Sequence, residues 1–261
     1  MKRTKIISIA NEKGGVGKTT TTHNLGSALA QLGRKVLVVD LDKQCNLTSL
    51  CGGAGEKSIC DLIYEECMGR STSAADVIRT SENGLDYIGS SKMLDSMNSQ
   101  IASNPDCAYV LKNIFSSAEF EKYDYIFFDN KPAIDILTQN ALNTSDGIII
   151  PIEAGLFAFD GIDSILSKVR SINATTNPRL KVTGILYNKS EHVTEFGKAI
   201  DAATQESFGK LMFSTQIPYR KAQTERAISM NTGCVNMKNN TLAQMYMQLA
   251  NEFEARVGRN Y

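Results

Sequence analysis

One run of ten residues limits what this chain can fold into. Asn11-Glu-Lys-Gly-Gly-Val-Gly-Lys-Thr-Thr20 lies between an apolar stretch at 6–10 and a helical pattern at 19–32. A glycine turn that leaves a strand and opens a helix is the first half of a strand–helix–strand unit with parallel strands. Gly14, Gly15 and Gly17 let the backbone curl, so that successive N–H groups, that of Val16 included, point inward. The helix start adds the positive end of its dipole. Lys18 brings a point charge, Thr19 a hydroxyl suited to Mg²⁺, and Thr20 a further donor. These parts make a cradle for the β- and γ-phosphates of a nucleotide. A glycine turn that only caps a helix needs neither Lys18 nor Thr19.

The rest of the chain repeats the same unit. Nearly continuous apolar runs at 6–10, 36–39, 125–128, 147–150 and 182–186 read as buried parallel strands, with weaker candidates at 85–88 and 211–213. Helical patterns fall at 19–32, 93–103, 109–115, 134–143, 161–174, 195–208 and 241–257, and Gly33 stands where a helix C-cap belongs. The expected fold is α/β: a doubly wound, mostly parallel sheet with helices on both faces, the P-loop NTPase architecture. No long Pro/Gly/Ser linker and no internal repeat interrupts 261 residues, so a single domain over 1–261 is expected.

Three acids stand at expected strand ends. Asp40 and Asp42 follow the run at 36–39, and Asp129 closes Tyr123-Asp-Tyr-Ile-Phe-Phe-Asp129. Carboxylates at the C-terminal edge of a parallel sheet are placed to meet Mg²⁺ and water. Asp129 reads as a Walker B acid in the second shell of the ion. Capping of the next turn is the plainer alternative for Asp40 and Asp42. Asn188 also ends an expected strand. Its amide can read adenine by donating and accepting at once, or can cap a turn.

Lys13, one residue before Gly14, narrows the reading. Lys-Gly-Gly-x-Gly-Lys-Thr-Thr resembles the deviant Walker A motif of the ParA/MinD family, and the likeness runs from about residue 4 to residue 255. The resemblance implies a nucleotide sandwich dimer in which Lys13 reaches the partner's nucleotide, with ATP and Mg²⁺ as cofactors. Asp40-Leu-Asp42-Lys43-Gln44-Cys45-Asn46 looks like the family's Asp-Leu-Asp-Pro-Gln-Gly-Asn switch I. By that match Asp42 orients the attacking water and Asp40 supports the Mg²⁺ shell. Lys43 stands where proline is usual, and Cys45 where glycine is usual. Asn130-Lys131-Pro132 resembles switch II, with Asn130-Lys131 in place of Cys-Pro or Thr-Pro. Lys131 then has three open roles: charge relief in the transition state, a brake paired with Asp129 or Asp42, or a solvent-facing side chain. The brake is the favoured one. Gln216-Ile-Pro218-Tyr-Arg220 resembles the family's Ile-Pro-Arg loop, which puts Pro218 near the base.

The resemblance leaves the cargo open. In partitioning relatives the ATP-bound homodimer binds nonspecific double-stranded DNA, and a ParB-like adaptor triggers hydrolysis. Lys+Arg and Asp+Glu balance at 28 each, which argues against coating nucleic acid through bulk charge. Between 168 and 226, however, ten basic residues (Lys168, Arg170, Arg179, Lys181, Lys189, Lys198, Lys210, Arg220, Lys221, Arg226) stand against five acids (Glu191, Glu195, Asp201, Glu206, Glu225). That excess is either a DNA face or an ordinary mixed surface. A MinD-like membrane regulator needs a basic amphipathic tail. The stripe at 242, 245, 246, 249, 253 and 257 carries Glu252 and Glu254 on its polar side, so it is expected to pack on the core, with no membrane partner. A reductase related to nitrogenase iron protein needs cluster cysteines, and position 130 is Asn. Another protein-complex cargo stays open. The six cysteines form no C-x-x-C pair, which suits reduced thiols in a cytoplasmic, nucleoid-associated protein. The short leader leaves no room for a helix-turn-helix, so operator binding is not expected.

Overall fold

The computed structural model describes residues 3–70, 72–153, 158–190, 195–237 and 240–260. Its centre is an eight-stranded sheet in the order β3-β4-β2-β5-β1-β6-β7-β8. The strands are β1 (Lys5–Ile9), β2 (Val36–Leu41), β3 (Ile78–Thr80), β4 (Asp86–Ile88), β5 (Tyr125–Asn130), β6 (Gly147–Glu153), β7 (Lys181–Ser190) and β8 (Ile217–Pro218). Only the edge pair β3–β4 is antiparallel. The run expected as a weak strand at 211–213 makes one isolated bridge, between Met212 and Ile185.

Alternation along the inner strands explains why they read as unbroken apolar runs. Ile7, Ile9, Val36, Val38, Tyr125 and Phe127 face α1 (Lys18–Gln31) and α10 (Thr241–Asn260). Ile6, Leu37, Val39, Ile126 and Phe128 face the opposite layer. That layer holds α3 (Ile59–Cys67), α4 (Leu94–Ser103), α5 (Val110–Phe115) and α6 (Ile136–Thr144). With both faces covered, both residue parities are mostly apolar, and the polar side chains of Asp40, Asp129 and Asn130 stand at the strand ends. A third cluster joins Ile148, Ile150, Ile152, Ile185 and Tyr187 to Ile162, Ile165 and Val169 of α7 (Ala158–Thr175). The remaining helices are α2 (Asn46–Leu50), α8 (Glu195–Phe208) and α9 (Lys221–Ser229).

The C-terminal stripe packs inward as expected. Leu242, Tyr246, Leu249, Phe253 and Val257 are buried, and Phe253 meets the Tyr125 ring edge-on at 5.2 Å between centroids. No helix among the described residues is long and apolar enough to cross a membrane. The crossover from β1 leads to β2 on one side, while that from β5 leads to β6 on the other. The C-terminal ends of β1, β2 and β5 therefore open into one crevice, the usual place for a ligand in such sheets.

Candidate nucleotide site

The glycine loop fills the step from β1 to α1. Gly15 and Gly17 take positive φ of 77° and 88°. At Gly17 the requirement is double, because an added Cβ would lie 2.1 Å from Asn188 Nδ2. Asn188, buried at the end of β7, donates to Val16 O at 2.9 Å and to Thr21 Oγ1 at 3.3 Å. Its donors therefore buckle the loop to β7. Asn11 adds an anchor to the strand between: its amide donates to Pro151 O of β6 at 2.8 Å, and its Oδ1 accepts from Lys13 N at 2.9 Å. Lys18 is buried and donates to Lys13 O at 3.0 Å. Burial lowers the Lys18 pKa, while Asp129 and then Asp42 oppose that fall. The Lys13 side chain is exposed.

Two clefts meet on this loop. One, of about 330 Å³, is lined by Gly14, Gly15, Gly17, Lys18, Thr19, Thr20, Asp42, Gln44, Asn46 and Pro132. The other, of about 230 Å³, includes Gly17, Thr20, Asn188, Pro218, Tyr219 and Arg220, with Leu242 and Tyr246. Gly17 and Thr20 belong to both, so a polar compartment carrying Lys18 and Asp42 runs into one walled by Ile217, Pro218, Leu242 and Tyr246, with Arg220, Lys221 and Glu225 also lining it. The division suits phosphates in the first and a flat base in the second. A larger cavity, about 710 Å³ among Arg3, Phe115, Phe120 and Arg179, lies at the other end of the strands, away from the loop.

Asp40 and Asp129 are register partners on adjacent strands, and both are buried. Asp40 is held by switch I itself: it accepts from Thr48 Oγ1 at 2.6 Å, Thr48 N at 2.8 Å and Asp42 N at 3.0 Å. Burial pushes its carboxyl up to about 6 in spite of those bonds. Asp129 accepts from Thr22 Oγ1 at 3.3 Å, and its Oδ2 has no hydrogen-bond partner among the described residues. Burial first, and then the neighbouring Asp40, raise the Asp129 carboxyl well above the carboxylate range. Thr19 and Lys18 oppose the rise. An orphaned buried carboxylate oxygen beside a threonine hydroxyl and a second acid is a donor set for a hard divalent cation, and Mg²⁺ fits it.

Switch II departs from the expected brake. Lys131 contacts neither Asp129 nor Asp42; it pairs with Asp95 at 3.0 Å and Asp135 at 2.5 Å. Asn130 turns onto the opposite face, donating to Ile9 O and Phe128 O. Cys45 holds the left-handed conformation, φ 55°, at the start of α2. That is the backbone for which glycine is suited at this position.

Five described basic residues between 168 and 226 fall into two separate groups. Arg220, Lys221 and Arg226 are exposed at the rim of the base cleft and along α9. Arg179 and Lys181 lie at the start of β7, at the opposite end of the sheet, within electrostatic reach of Lys5. Glu191 and the side chains of Lys189, Glu195, Lys198 and Asp201 lie outside the described residues. Sequence reasoning assigned no role to Thr48, Thr22, Asn11 or Asp95. Asn11 stood inside the glycine-loop run and Thr48 just beyond Asn46 of switch I, whereas Thr22 and Asp95 lay outside both motifs.

The chain is similar to known proteins over nearly all of its length. The family described as an AAA domain matches residues 4–182. The chromosome-partitioning ATPase Soj of Thermus thermophilus is 32% identical over 259 residues, covering 98% of this chain and 99% of its own. The sporulation initiation inhibitor protein Soj of Bacillus subtilis is 31% identical over 255 residues, covering 96% and 98%. The solved ATP complex of McdA from Cyanothece superposes with a TM-score of 0.84 at 22% identity, over 99% of this chain and 98% of that one.

Proposed function

This chain belongs to the ParA/MinD family of P-loop ATPases, and on that footing we propose that it is a dimerising switch ATPase of the ParA type. It binds Mg·ATP, closes as a sandwich dimer on DNA of any sequence, and moves a plasmid, chromosome or mobile element with a ParB-like adaptor. The observation that carries this reading is the pair of clefts joined at Gly17 and Thr20, with Lys13 exposed on the same loop.

In this reading the amides of Gly14, Gly15, Val16 and Gly17 cradle the phosphates and Lys18 meets the β- and γ-oxygens. Asn188 holds the loop in shape and Pro218 walls the base. Thr19 would hold Mg²⁺, with Asp129 and Asp40, the latter fixed by Thr48, supporting its shell. When bound, the ion neutralises charge on the phosphates. Asp42, whose backbone amide is pinned to Asp40, aligns the attacking water. Lys13 crosses to the partner's nucleotide. Arg220, Lys221 and Arg226 are the DNA contacts, because they alone of the described basic residues border the base cleft or α9.

Light scattering and a DNA shift assay, each with and without a slowly hydrolysed ATP analogue, test the proposal. The mass should double and duplex binding should appear only with nucleotide, fading as salt rises. Lys18→Ala should abolish ATP binding, whereas Lys13→Ala should spare it and weaken the dimer. Arg220→Glu with Lys221→Glu should weaken DNA binding uniformly across sequences. One mass in both states, or equal DNA binding without ATP, refutes the switch.

A further inference from the structure

The two places where lysine replaces an expected proline converge on one carboxylate. Lys43 in switch I reaches Asp95 Oδ2 at 2.5 Å, and Lys131 in switch II reaches Asp95 Oδ1 at 3.0 Å. The partners are 52 and 36 residues away in sequence, so no local turn brings them together. Asp95 lies in the first turn of α4. One turn further on, Asn98 donates to Asp135 Oδ2 at 2.8 Å, and Asp135 both pairs with Lys131 and caps α6 through Thr138 N. The chain neighbours of both lysines, Asp42 and Gln44 on one side and Pro132 on the other, line the phosphate cleft. Each lysine thus pairs with α4 while the residues beside it wall the cleft.

We propose that Asp95 is a positioning residue for ATP hydrolysis, tying switch I to switch II through Lys43 and Lys131 so that Asp42 and Pro132 keep their spacing across the phosphate cleft. This rests on the ATPase reading above. Without the carboxylate, Lys131 keeps Asp135 while Lys43 loses Asp95, and the link between the two loops is gone. The tie touches neither the glycine loop nor the base cleft, so it acts on turnover rather than on nucleotide affinity. Lys131 is mostly buried, whereas Lys43 and Asp95 are about half exposed. The tie is therefore weaker than a buried pair and open to screening by salt.

The experiment combines hydrogen exchange with steady-state kinetics on the full chain. Asp95→Asn should raise amide exchange in both loops, 42–48 and 131–135, together. It should lower kcat by roughly threefold to tenfold, the scale of two partly exposed ion pairs, with KM for Mg·ATP within about twofold. Asp95→Glu should restore both, and in a Lys43→Met, Lys131→Met background Asp95→Asn should change neither. Faster exchange in one loop only, in neither, or across the whole chain overturns the tie. So does a loss that falls on KM instead of kcat. If the wild type shows the coupled exchange but no turnover that Lys18→Ala removes, the ATPase reading fails and the positioning of hydrolysis fails with it, while the mechanical link between the loops stands.

Discussion

Gly17→Ala puts a number on the buckle between the glycine loop and β7. Two costs add. Gly17 sits at φ 88° and ψ 28°, where an L side chain costs about 1–2 kcal/mol. The new Cβ would also lie 2.1 Å from Asn188 Nδ2 and 3.1 Å from its Cγ. The amide must therefore leave, surrendering its bonds to Val16 O and Thr21 Oγ1 in a buried place. Two such bonds are worth about 2 kcal/mol net, and more where an orphaned carbonyl remains. The total is about 3–4 kcal/mol, which for a chain of this size lowers Tm by roughly 6–12 °C. Asn188→Ala alone should cost about 2 kcal/mol through the same bonds.

The decisive quantity is the coupling between the two changes. In an Asn188→Ala background the obstacle and the bonds are already gone. Gly17→Ala should then cost only its backbone share, about 1–2 kcal/mol. Urea unfolding of the four proteins without nucleotide gives the cycle directly, with an unchanged m-value as the check that the denatured state is comparable. An equal cost of Gly17→Ala in both backgrounds would show that Asn188 does not constrain the loop and would refute the reasoning.

Two further outcomes follow from buried titratable groups. His23 is buried in α1, and burial pushes its imidazole from 6.5 down to about 4. Between those values the unfolded chain binds the extra proton, so the stability is present above pH 6.5 and is lost as pH falls towards 4; the loss is about 3 kcal/mol. Urea midpoints for wild type and His23→Gln should diverge at pH 7 and approach one another at pH 4.5, and parallel pH profiles would contradict this. Asp129 is shifted the other way, by burial first and Asp40 second. The fold holds a proton that the unfolded chain has released, so stability falls as pH rises through that window. Asp129→Asn should raise the nucleotide-free midpoint at pH 8, with the gap narrowing as pH falls, and should remove stabilisation by Mg·ATP; a lower midpoint at pH 8 would count against an uncompensated carboxylate.

What the sequence made legible follows burial and chain proximity. β1, β2, β5, β6 and β7 were readable because both their faces are covered, which turns each into an apolar run. β3 and β8 have three and two residues at the sheet edges, too few to carry a period. α9 is polar almost throughout and escaped for want of an apolar stripe. α3 escaped although it begins with a capping box, Ser58 and Asp61, that was open to view. The glycine loop was legible because its parts are contiguous. Its anchors are Asn11, which reaches β6, and Asn188 of β7, and an amide's partners depend on which strand end it faces. Asp95 carried no signal at all, since its role exists only where two distant loops meet it.

The departures from the family pattern form two kinds of substitution with one physical theme. Proline at 43 or 131 would limit its loop by fixing φ, a restraint that no solvent condition weakens. Lysine gives that up and regains restraint through Asp95, by a charge interaction that salt screens and that a single carboxylate shares between both switches. Independent stiffness in two loops is thus exchanged for dependence of each loop on the other. Cys45 runs the opposite way. Where glycine would take φ 55° freely, the cysteine accepts about 1 kcal/mol of strain and narrows the unfolded ensemble in return. The strain is located between Asp42 and Thr48, in the segment that grips Asp40. Switch I is therefore strained at Cys45, pinned at Asp40 and leashed at Asp95. Release of the leash alone leaves the pin at Asp40 in place, which is why losing Asp95 should slow turnover without unfolding the site.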